Sequence, residues 1–212
     1  MIEVRLEVGS TRVFATAIDW PGWSRSARDE AGAIDALVEY GPRYKAAVGK
    51  RIALPKSAKD IKVVERSKGN GNTDFGVPAS PRVDAQPVDA RELKVLIAIL
   101  ESCWAAFDAA VTAAKGTTLS TGPRGGGRPL AKIRAHALEG DHSYLSRLGG
   151  SAPPSASLDA VRAEFIDALD ARRRGDLPDK GPRGGARWTP REAVRRSAWH
   201  ALDHAWEIED RS

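Results

Sequence analysis

The sequence predicts an α+β protein in two parts: a small β-β-(β)-α module within residues 1–86 and an antiparallel four-helix bundle over 87–212. Two observations mark the first part: residues 2–19 alternate apolar and polar side chains, the period of half-buried strands, and a helical pattern follows. The third is a change of period at Asp89, after which four long stretches carry apolar residues at helical spacing.

Taken in order, "IEVRLEV" (2–8) and "RVFATAID" (12–19) read as strands joined by the turn residues "GST". "WPGWSRSARDE" (20–30) is a loop leading into a short strand or straight into a helix, and its Trp20 and Trp23 suit either a core or an exposed contact pair. Over 29–49, Ile34, Leu37 and Val38 have helical spacing, and Pro42 should kink or end the first part of that helix. "IKVVER" (61–66) is a further strand. The Gly-, Pro-, Asn- and Ser-dense stretch 67–87 reads as a long connection and the domain boundary.

Helices are then expected at about 89–115, 129–148, 157–174 and 189–211. Asp89 is placed to cap the first, and Thr189, Pro190 and Glu192 to open the last. Alternating helix directions would make the second and fourth helices parallel.

Composition narrows the function classes. The single cysteine, Cys103, sits in an apolar helix, which argues for an inert buried thiol and against disulfide or redox chemistry. No apolar run approaches about 18 residues, and the N-terminus lacks the basic and then apolar order of a signal peptide. A cytoplasmic protein without a membrane segment is the expectation. The net charge of +5 permits an anionic partner without requiring one.

Two motifs carry chemistry. "GPRGGGR" (122–128) recurs as "GPRGGAR" (181–187), each time before a long helix. Arg124, Arg128, Arg183 and Arg187, with flexible glycine amides and a helix N-terminus, suit an anion such as a phosphate-bearing ligand or a nucleic-acid backbone. The alternative is that the glycines shape tight turns and the arginines pair at helix ends. The Lys-Ser/Thr ending of a phosphate-binding loop is absent, as are zinc-finger spacing and aromatic RNA-binding motifs. If the second and fourth helices are parallel, both loops lie at one end of the bundle.

The second motif is histidine. All four histidines, His136, His142, His200 and His204, fall on the second and fourth helices. At about 100° per residue, Asp203, His204 and Glu207 lie within roughly 60° of His200 and share its face. Imidazoles at i and i+4 reach one ion together, and zinc or nickel favours such ligands. His136 and His142 differ by about 120°, so one of them at most points to the same place. The alternative is that the stripe is the solvated side of the last helix.

"IRAHALEGDHSYLSRLG" and "WHALDHAWEIEDR" make residues from about 89 resemble the DinB-like (DinB/YfiT) four-helix bundles. That resemblance implies a divalent metal on His136, His200 and His204, and a metal-dependent S-transferase or hydrolase acting on a thiol or small anionic ligand. Asp203 or Glu207 would then orient an imidazole or move a proton. One departure stands out: many relatives place the pair so that its second member falls where this chain has Ile208. "RVFATAIDWPGW" with "VEYGPRY" resembles HicB-like antitoxin modules, which implies a regulatory, partner-binding role for about 1–49 and leaves a homodimer open. A non-catalytic binding protein using the arginine loops is the remaining expectation.

Overall fold

The computed structural model describes residues 1–49, 52–121 and 127–212, and the chain is of the α+β class. It divides into two compact units, Met1–Val83 and Asp84–Ser212.

The first unit is a four-stranded sheet in the order β3-β2-β1-β4, formed by β1 (Ile2–Val8), β2 (Val13–Ala17), β3 (Ser24–Ala27) and β4 (Ile61–Lys68). β1 pairs antiparallel with β2 and parallel with β4. A parallel partner needs a crossover, here carried by α1 (Glu30–Glu39) and α2 (Gly41–Val48). Asp29 caps α1 by accepting from the Gly32 amide at 2.8 Å, and Pro42 falls in the first turn of α2, so the helical stretch divides into two helices. Trp23 is a core residue, stacked on Tyr44 at 5.1 Å with its indole N–H donating to the Leu37 carbonyl, whereas Trp20 is half-buried.

The stretch expected to be a mere connection is for the most part tied to this sheet. β1 buries Arg5 and Glu7 beside its apolar Val4 and Leu6, and buried charges require partners. Glu7 accepts from Thr73 Oγ1 at 2.5 Å and from the Ala79 amide at 2.7 Å, while Arg5 donates to the Ala79 carbonyl and pairs with Glu65. Residues 70–79, including the short α3 (Gly71–Phe75), therefore belong to the first unit, whose end lies at Val83.

The second unit packs α4 (Ala90–Ala113), α5 (Leu130–Leu148), α6 (Leu158–Arg174) and α7 (Pro190–Arg211) against one another. The expected caps form: Asp89 accepts from the Glu92 amide, and Thr189 from the Glu192 amide. Helix α4 is long and apolar enough by composition to cross a membrane, but it turns Leu93, Leu96, Leu100, Trp104 and Phe107 into the core. Cys103 is fully buried and its thiol is pushed up by burial, as an inert thiol should be.

Helix directions do not alternate. Arg191 pairs with Glu92 and Ser197 accepts from Trp104, so α7 runs parallel to α4. The Trp188 amide, at the start of α7, donates to the Arg147 carbonyl at the end of α5, and a Cβ on Gly127 would meet the Arg211 guanidinium at the end of α7. Helices α5 and α7 are therefore antiparallel. Asp141 lies against Arg162, and Gly150 against Ala168, so α5 and α6 run parallel. The order is up, down, down, up. Residues 149–157 make the return, and about nine residues at ~3.3 Å each suffice to span a helix of α6's length. Apolar periodicity specifies which face of a helix is buried and leaves its direction open, which is why the alternating arrangement was the wrong expectation.

Candidate metal centre

The antiparallel pairing brings α5 and α7 face to face where their histidines lie. The stripe on α7 is not wet: His200 is 7% and His204 8% exposed. Both faces of α7 are covered, one by α4 and the other by α5. His136 on α5, half-buried, completes a cluster with them, and one ligand atom from each of the three lies within 4.8 Å of the others. The Nε2 atoms of His136 and His200 are 3.2 Å apart. Zinc–imidazole bonds of about 2.0–2.1 Å at tetrahedral angles require N···N separations of roughly 3.3 Å, so this pair already has ligand spacing.

Two features aim the rings. His204 Nδ1 donates to Glu207 Oε2 at 2.8 Å, which leaves Nε2 as the free ligand atom. Glu207 is held in turn by Arg211 Nη1 at 2.7 Å, and Arg211 Nε donates to the Ser120 carbonyl. The hydrogen bond from His204, followed by Arg211, keeps the Glu207 carboxyl below its usual range. The second feature is Gly140, in the middle of α5: a Cβ there would lie 2.6 Å from His200 Cε1, so the imidazole rests directly on the helix backbone. The Tyr144 ring meets His200 edge-on at 5.5 Å and packs against Trp188.

Burial, then the neighbouring His204 and His136, then Arg196 and Arg128, push His200 down to about 2. His136 is lowered by burial first, with His204 and Arg128 adding to it. Both rings are therefore neutral near pH 7, the form that binds a metal.

Behind the cluster lies a polar group that the sequence reading missed. Asp141 accepts from Ser197 Oγ at 3.1 Å and faces Arg162, and burial raises its carboxyl to about 6. A charged residue inside an amphipathic pattern carries no sign of its tertiary partner. Gly140 was also missed, although a mid-helix glycine, costly by about 1 kcal/mol, is a readable signal.

The other expected residues are dispersed. His142 is half-buried and not part of the cluster. Glu207 bonds to the cluster through His204, and Asp203 sits half-buried on the adjoining strip of α7. Ile208 is in the core, so the pair that meets His136 is His200 with His204. Arg124 lies outside the described residues. Arg128 is exposed, and its charge reaches His136 and His200. Arg183 is exposed on a tight turn in which Gly184 has φ +79°, and Arg187 donates to the Ser146 carbonyl at the end of α5. The described part of the first loop thus meets the C-terminal end of α7, while the second lies at its N-terminal end, about 33 Å away along the helix. This corrects the expectation that both loops share one end.

Comparison with protein-family models, curated proteins and solved structures finds no match to this chain.

Proposed function

We propose that the helical unit binds a divalent metal ion, zinc or nickel, through His136, His200 and His204, and that this centre serves a transferase or hydrolase reaction with a thiol or water as nucleophile. The observation that carries the reading is the convergence of three imidazole nitrogens within 4.8 Å, with Glu207 fixing the tautomer of one. It accords with the DinB-like resemblance of α5 and α7. His136, His200 and His204 would hold the ion, which would supply Lewis-acid polarisation.

The chain's own contributions follow from the contacts. Glu207 holds His204 in the Nδ1–H form, and its carboxylate is the one at hand to take or return a proton through that imidazole. Arg211 keeps Glu207 ionised and in place. Gly140 and Tyr144 hold the His200 ring against α5 and exclude water from that side.

Elemental analysis of tag-free protein incubated with zinc or nickel, then desalted, tests the reading. Near one equivalent of metal, lost in His200→Ala/His204→Ala, is the expected result; a native protein that retains no metal would overturn it. Arg128 and Arg187 lie at opposite ends of α7, which weighs against the competing idea that they hold one anion together.

A further inference from the structure

Beside the histidine cluster, where α5 begins and α7 ends, the helical unit carries an open cleft of about 480 Å³, within the range of small-molecule sites. Its walls mix two kinds of chemistry. Leu119 and Leu130 are apolar, Thr117 and Thr118 offer hydroxyls, and Arg134 and Arg211 bring two guanidinium groups. Arg134 is exposed at the cleft and, among the described residues, makes no ion pair. Arg211 is 8% exposed, its Nη1 pairs with Glu207 and its Nε donates to the Ser120 carbonyl, so it offers the cleft the remaining Nη2 donors in a fixed position rather than an unpaired charge.

We infer that this cleft is a subsite for a small organic carboxylate. The Arg134 guanidinium, the fixed Nη2 donors of Arg211 and the neighbouring hydroxyls together match one carboxylate. The volume and the leucine walls call for an apolar body attached to it, which a bare inorganic anion lacks. Position gives the subsite its use. Arg211 is one helical turn from Glu207, which holds His204, so a carboxylate on Arg211 would sit beside the metal centre. That last step rests on the metal reading above; the binding itself does not.

The test uses the full chain, treated with chelator and, separately, loaded with zinc, and titrated with benzoate or inorganic phosphate by calorimetry. Benzoate is expected to bind both forms with a Kd on the order of 1 mM, typical for a ligand of so few atoms, and phosphate at least about tenfold more weakly. Two variants keep the site distinguishable from a general cationic surface. Arg134→Ala removes an exposed charge, and Ala131→Phe fills the cleft from an exposed helix position; each should weaken benzoate about tenfold or more. No benzoate binding, or binding that neither variant changes, or phosphate binding as well as benzoate, would overturn the inference. A protein that binds zinc but not benzoate loses only this inference, and one that binds benzoate but no metal loses only the metal reading.

Discussion

At the scale of single residues, the centre depends on what is missing as much as on what is present. Gly140 lets the His200 ring lie on α5, where any Cβ would collide with it. At an ordinary interior helix position Gly→Ala stabilises by about 1 kcal/mol. Here Gly140→Ala should displace the ligand and weaken zinc binding by at least about tenfold in a competition titration, and an unchanged affinity would show that the ring does not need the bare backbone. Asp141 supplies a pH signature away from the ligands. Folding raises its pKa from 3.8 to about 6, so between those values the folded state holds more protons than the unfolded one. Stability contributed by this group is present at low pH and lost as pH rises through about 6. Asp141→Asn removes the titration, and wild type minus variant should lose up to about 3 kcal/mol between pH 4 and 7 in denaturant melts. A flat difference would mean that Arg162 keeps Asp141 ionised in the native state. The His200/His204 pair was readable from its spacing, and His136 entered through the resemblance, since spacing left it and His142 open; Asp141 and Gly140 were not singled out, because their roles lie in contacts across helices.

At the scale of elements, the ends were more legible than the directions. Asp29, Asp89, Ser157 and Thr189 all cap helices as small oxygen-bearing side chains should. Thr189 does double duty, accepting from the Glu192 amide and donating to the Asp84 carbonyl. Thr189→Ala should therefore cost about 1–2 kcal/mol in urea unfolding, while metal stoichiometry stays as in the wild type, since His200 lies three turns further on. Loss of metal in this variant would instead place the cap in control of the register of α7. Buried ionic contacts set how segments join: Arg195 forks onto Asp84 with bonds of 2.6 and 2.9 Å and ties the start of the second unit to α7. No local pattern announces that pair, because its members are 111 residues apart.

For the whole molecule, the proposed ion would act as a bolt between α5 and α7, and a ligand that binds only the native state stabilises it by mass action. Zinc at about a hundred times its Kd should add roughly 2.7 kcal/mol to the unit Asp84–Ser212. In calorimetry this shows as a raised Tm that His200→Ala/His204→Ala abolishes; a shift retained in the double variant would locate the ion elsewhere. By itself the sequence determined the α+β class, the hairpin, the division of residues 29–49 at Pro42, the four long helices with the Asp89 and Thr189 caps, and the His200/His204 pair on one helix face. These are local properties, written in period, turn chemistry and capping within a few residues. Only the tertiary structure decided that α5 opposes α7, that Arg128 and Arg187 lie far apart, that residues 70–79 belong to the sheet, and that His136 meets His200 and His204. Those outcomes depend on helix direction and on buried charges finding partners far along the chain, and an amphipathic helix buries the same face whichever way it runs.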